Sequence, residues 1–319
     1  MKKVTRFALM ATATLLVAGQ ALSQPANRGG GNGGGGGGGG GGGSTSVPTL
    51  QSWMSPEVGD AWRQGYQGKG ATITVIDDFS SNVGFYGNLT GSTELRRHGE
   101  WTLRQASLVA PQASMRSQDF TSGSAVSLAR RSFNVLNLSY GMMAPAGFST
   151  VNWSRQESSI ISYAQNGNAL ISKAAGNDFG TAVGQPNANG QLDYLNRDLI
   201  GAQSAIFVGA LNTNGTPSAP ATMASYSNIA GTNPTVQNQF LVVGVEGHKT
   251  GLYGTSFAAP IVSGYAAIVH SKFTRASPTQ VANQLLNTAR QDTISGYNPA
   301  IHGRGEASIT RALAPSSIQ

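Results

Sequence analysis

Short runs of β-branched and apolar residues, several followed by stretches long enough for a helix, recur along this chain and limit its possible folds more than any other feature. Ala71 to Ile76 is the first such run, and it ends on two carboxylates, Asp77 and Asp78. Similar runs follow at Leu108–Ala110, Val135–Ser139, Ala169–Ala174, Ala205–Ala210 and Phe240–Val245. A strand that is apolar along its length, rather than alternating, is covered on both faces, which is the habit of parallel sheets. Helix-length stretches lie at Gly123–Arg131, Arg155–Gln165 and Phe257–His270. The pattern predicts an α/β fold, with a mostly parallel central sheet and helices over both faces. One further helix carries its own signals: Ser277 can cap it, Pro278 suits its first position, and Val281, Leu285 and Leu286 form an apolar stripe.

With 319 residues, 39% of them hydrophobic, the chain can bury one large core, although length alone also permits two domains. There is no cysteine, which excludes disulfides, thiolate metal sites and a thiol nucleophile together. Lys2, Lys3 and Arg6 precede an apolar run from Phe7 to Ala18, then small residues at Gly19, Ala21 and Ser23. That order reads as an export signal over 1–23, cut after Ala21 or Ser23; the apolar run falls short of the roughly 20 residues a membrane span needs. Residues 29–43 are glycine except for Asn32, so 24–47 is expected to be a flexible linker and 48–319 the folded domain. No later apolar run reaches spanning length, so the mature chain is expected without a transmembrane segment, in a secreted or periplasmic location. The formal charge of +7 includes three cations of the signal, and charged residues make up only 11% of the chain. Neither favours a nucleic-acid partner.

The strongest local signal is GTSFAAPIVSG, Gly254 to Gly264. Ser256 stands where a helix begins, among backbone N–H groups and the positive end of the helix dipole. An isolated Thr-Ser pair there is just as well explained as a helix cap. A serine nucleophile needs a base, and the chain offers four histidines: His98, His248, His270 and His302. His98, in a polar stretch before Gly99, has the best context, without excluding the others. A base needs a carboxylate that fixes its tautomer, and Asp77 ends a strand in a suitable place; Asp78 should point the other way. AAGN, Ala174–Asn177, ends another strand with an amide able to stabilise an oxyanion with the backbone N–H of Ser256, although Gly176-Asn177 also reads as a simple turn.

Five blocks in this order resemble the subtilisin-like serine peptidases, or subtilases: ITVIDD with Asp77, HG at His98 followed by VAP at Val109, LNLSYG at Leu136, AAGN at Asn177, and GTSFAAP at Ser256. The resemblance runs from about Trp62 to Ala314. It implies a three-layer sandwich around a mostly parallel sheet and a hydrolase that cleaves protein or peptide substrates through an acyl-enzyme. Carried over residue by residue, Asp77, His98 and Ser256 would be catalytic, with Asn177 and Ser256 forming the oxyanion hole. An extended substrate would lie along Leu138, Ser139, Tyr140 and Gly141, and its P1 side chain would enter a slot walled by Ser139–Gly141 and by Ala174, Ala175 and Gly176. Those walls are uncharged, which favours an apolar P1. The resemblance implies no cofactor for the chemistry; structural calcium has no support in the sequence, and oligomeric state is not indicated.

The chain also departs from the family. Gly99, Glu100 and Trp101 follow His98 where a threonine and a second histidine are usual, and short intervals around His98 imply trimmed loops and a reduced helix. Fewer than 40 residues, largely glycine, separate the expected signal end from Ala61, too few for a folded pro-domain. These departures motivate an alternative reading, an inactive subtilase-fold protein that binds peptides. An esterase on a different α/β fold is disfavoured because Ser256 lacks a G-x-S-x-G elbow.

Overall fold

The structure, a computed structural model, describes residues 47–319 together with two short strands, Lys3–Thr5 and Met10–Thr12. The rest of the expected export signal (1–23) and nearly all of the expected linker (24–47) lie outside the described residues.

Six strands form the central sheet, in the spatial order Phe240–Gly244, Ala205–Leu211, Leu170–Ala174, Phe133–Leu138, Ala71–Asp77, Ser114–Asp119. Every neighbouring pair runs parallel. All but the last strand are buried along their whole length, because their side chains point alternately into two cores. Ile73, Val75, Val135 and Val208 meet one core, to which His98–Val109, Ala259–Lys272 and Pro278–Asn287 contribute. Ile76, Leu136, Ile171 and Phe207 meet the other, with Arg155–Gln165 and Tyr194–Leu199. The expected three layers are present.

Ala259–Lys272 lies against the sheet and is covered by other helices, which is why its sequence is apolar on nearly every side. Ser277 caps the next helix as expected, within a reciprocal pair of bonds with Gln280.

Three local expectations are corrected. Leu108–Ala110 is no strand: it finishes the helix His98–Val109, and Val109 and Ala110 are apolar because they pack in the core. Gly123–Arg131 forms no helix, since side chains take up its backbone groups: Val126 N–H donates to Ser159 Oγ and Ala129 N–H to Asn134 Oδ1. Ser114–Asp119 pairs with Ala71–Asp77 over six residues, yet as a polar edge strand it has no apolar run to reveal it.

From Ala71–Asp77 the chain crosses to one sheet edge and then returns to the opposite side at Phe133–Leu138. Where strand order reverses in this way, the carboxyl ends of the neighbouring strands open a crevice. Asp77 ends one of these strands and Ser139 follows the other. Beyond Ser139, Gly141–Pro145 pairs antiparallel with Gln191–Asp193 and with Met10–Thr12, with Thr12 opposite Gly141.

Candidate active site

Asp77 is fully buried at the end of its strand. Its Oδ1 faces His98 Nδ1 at 2.6 Å and accepts Asp78 N–H at 2.7 Å, while Oδ2 accepts the Thr102 hydroxyl at 2.9 Å. With the carboxylate as acceptor, Nδ1 carries the proton, and the Nε2 of a neutral ring keeps its lone pair. His98 opens the helix His98–Val109, whose start is secured by Glu100 accepting the Arg97 N–H and by the Gly99 N–H donating to Asp78 O. Asp78 turns away as expected, accepting Ser80 and Ser81 N–H.

Ser256 sits in a short 3-10 turn, Thr255–Phe257, immediately before Ala259–Lys272. Gly254 precedes it with φ 122°, a conformation that demands glycine, and an added Cβ would lie 3.1 Å from Asn177 Nδ2. The Phe257 ring packs on the His98 ring at 5.6 Å, so the serine turn and the imidazole are neighbours. They share no hydrogen bond: Ser256 Oγ donates to Ser139 O at 3.1 Å, and His98 Nε2 is buried without a partner among the described residues.

Asn177 comes to the same place from the end of the strand Leu170–Ala174. Its Oδ1 accepts both Thr255 N–H at 2.8 Å and the Thr255 hydroxyl at 3.0 Å, and this network assigns the orientation of the amide. Thr255 Oγ1 in turn accepts Gly176 N–H at 3.1 Å. Ser139 Oγ donates to Ser256 O and accepts from Asn137, whose carbonyl accepts from Ser263. Three chain segments are thereby tied around one serine.

A cavity of about 170 Å³ opens beside Ser256. Ser139, Tyr140, Gly141, Ala174, Ala175 and Gly176 line it, and the Leu138 side chain is fully buried in the core. The uncharged walls are only part of the lining. Lys173, Asp178 and Asp193 also border the cavity, with Met143, Asn187, Asn189, Gln191 and Asn228, so its lining is mixed. Burial pushes the Lys173 ammonium pKa down, while the neighbouring Asp193 carboxylate opposes that shift.

The remaining histidines stand elsewhere. His248 is exposed beside Glu246, His270 stacks on Phe133 at 4.2 Å, and His302 Nδ1 bonds the backbone at Asn298. Sequence reasoning missed Thr102, Thr255, Lys173 and Asp193. Thr102 had a usable signal, since it lies one helical turn after His98 and so on the same face. Lys173 had another, as a lysine inside an apolar strand must find a partner. Among the described residues, no cluster of three or more His, Asp or Glu side chains is placed to hold a metal ion, and no helix is long and apolar enough to cross a membrane.

Comparison with known proteins agrees with this architecture. Residues 102–305 match the model of the subtilase family of peptidases, a span that includes Asn177 and Ser256 but begins after Asp77 and His98. Mycosin-4 of Mycobacterium tuberculosis is 29% identical over 166 residues, covering 47% of this chain and 35% of the relative. Mycosin-5 of the same organism is 35% identical over 94 residues, covering 26% and 16% respectively. These matches span about a third or less of either relative. Among solved structures, the MycP3 protease from the type VII (ESX-3) secretion system superposes with a TM-score of 0.51 at 21% identity, over 81% of this chain and 86% of that one. The prenylagaramide maturation protease PagA gives 0.53 at 20% identity, over 81% and 98%. At those identities the likeness is one of fold.

Proposed function

The chain belongs to the subtilase family, whose chemistry needs no cofactor, and we propose that it is a serine endopeptidase acting through Ser256, His98 and Asp77. The observation that carries this reading is the buried Asp77–His98 bond, which leaves Nε2 unpartnered beside the serine turn.

In this mechanism the Ser256 side chain turns from Ser139 O towards His98 Nε2, which takes the hydroxyl proton as Oγ attacks the peptide carbonyl. Asp77 holds the resulting imidazolium, and Thr102 holds Asp77. The carbonyl oxygen gains negative charge and is met by the Asn177 amide and the Ser256 backbone N–H. His98 then gives its proton to the leaving amine, forming the acyl-enzyme, and water repeats the cycle to release the acid. The substrate adds as a strand along Leu138, Ser139, Tyr140 and Gly141, with its P1 residue reaching the cavity bounded by Ser139–Gly141 and by Ala174, Ala175 and Gly176. Met10–Thr12 pairs with Gly141–Met143 and so meets this stretch only at Gly141, where the backbone takes an extended partner. The basic and apolar start of the chain, read as a signal over 1–23, supports work outside the cytoplasm on protein substrates.

A second reading, a peptide-binding protein without activity, is favoured by one observation: Ser256 bonds Ser139 O and not His98. A serine-directed phosphonate separates the two. Labelling at Ser256 that disappears in His98→Ala supports the peptidase. No adduct, together with no casein cleavage from neutral to alkaline pH, rejects it.

A further inference from the structure

Resting on the peptidase reading, we propose that the cavity beside Ser256 receives a P1 side chain ending in a neutral amide, asparagine or glutamine, gripped jointly by Lys173 and Asp193. The Lys173 ammonium has three N–H groups, and two are taken, by Ala174 O at 2.8 Å and by Asp193 Oδ2 at 3.2 Å. One remains. Asp193 divides its acceptors: Oδ1 takes the N–H groups of Met142, Leu195 and Asn196, whereas Oδ2 accepts only from Lys173 among the described residues. A carboxylate oxygen has room for a second donor. A spare donor and a spare acceptor therefore stand side by side on the cavity lining, with side chains only 1% and 12% exposed. An amide carries the complement on a single carbon, a carbonyl that accepts and an NH2 that donates.

Other P1 chemistries fit less well. A carboxylate would meet Asp193 and Asp178, whereas an ammonium or guanidinium, though drawn to those carboxylates, would have to compete with Lys173, whose ammonium already bonds Asp193 Oδ2. An apolar side chain would drive water from both groups and leave them unpaired, which is the costly outcome for buried polar atoms. Asp178 is already engaged, by the amides of Asn187 at 2.8 Å and Asn228 at 3.2 Å, and so forms a braced wall. Sites built to hydrogen-bond a substrate reject analogues that cannot reciprocate far more strongly than apolar slots discriminate by size.

The test uses internally quenched peptides identical except at P1, which is Asn, Gln, Leu, Phe, Arg or Glu, with active sites counted from the phosphonate adduct at Ser256. The expected result is a kcat/KM for Asn and Gln at least tenfold above the other four. In Lys173→Met the ratio of Asn to Leu should fall at least tenfold; a ratio within one preparation does not depend on how much of it folds. Leu, Phe, Arg or Glu as the preferred residue overturns the assignment, as does an unchanged ratio in Lys173→Met. An adduct without cleavage of any peptide also counts against it. No adduct and no cleavage overturn the peptidase reading beneath it, whereas adduct and cleavage without amide preference overturn the pocket assignment alone.

Discussion

Thr102 occupies the Asp77 oxygen that His98 does not use, so its hydroxyl limits how the carboxylate can swing. Thr102→Val keeps the shape and deletes the donor. If Asp77 orients the base, kcat should fall about tenfold, the worth of one hydrogen bond to a charged group, with little change in KM and recovery in Thr102→Ser. A purely structural threonine would lower the melting temperature and leave the kcat of the folded fraction alone. Asn177 plays a different part. Its Oδ1 is held by Thr255, which directs the NH2 group away from that residue. If Asn177 serves the oxyanion, Asn177→Ala should lower kcat by about a hundredfold to a thousandfold with KM nearly steady, because such an interaction strengthens as charge develops on the carbonyl oxygen. An equal change in KM instead would assign Asn177 to substrate binding.

The histidine helix, His98–Val109, and the serine helix, Ala259–Lys272, cross so closely that an added Cβ at Gly264 would lie 2.5 Å from Val109 Cγ1. Gly264→Ala should therefore cost about 1–3 kcal/mol of stability, the usual penalty of overpacking, seen as a lower denaturation midpoint. Val109 Cβ lies as close, at 2.6 Å, so Val109→Ala would relieve only the Cγ1 contact whereas Val109→Gly clears both. Adding Val109→Gly should recover part of the loss, and strict additivity of those two changes would show that the crossing is not the cause. The close approach explains the glycine that closes the GTSFAAPIVSG block. It also explains why Leu108–Ala110 looked like a strand: the end of a helix pressed between sheet and helix is as apolar as a buried strand and only three residues long.

Across the whole molecule, the C-terminal segment is tied to the sheet edge through Glu306, which bridges to Val242 and accepts the Gly215 N–H. Burial raises its carboxyl pKa from 4.5 to about 7. Below pH 4.5 folded and unfolded chains are both protonated there; as the pH rises to about 7 the unfolded chain ionises first and gains stability relative to the folded one. The group's contribution is thus present in acid and lost by neutrality, at a cost of about 3 kcal/mol above pH 7. Glu306→Gln keeps the acceptor for Gly215 and should raise stability in urea melts at pH 8 but not at pH 4; an equal change at both would refute the burial argument. Much of this architecture was legible in one dimension. Five central strands, the capped helix at Ser277 and the chain order of Asp77, His98, Asn177 and Ser256 are written in local patterns, because burial on both faces, helix starts and tight turns each constrain residues close together in the chain. The polar edge strand, the hydroxyls of Thr102 and Thr255, the burial of the Leu138 side chain and the Lys173–Asp193 pair on the cavity wall were settled by packing. Each depends on which segments meet after the sheet closes, and for a charge the choice between pairing, burial and exposure follows from neighbours that lie far away along the chain.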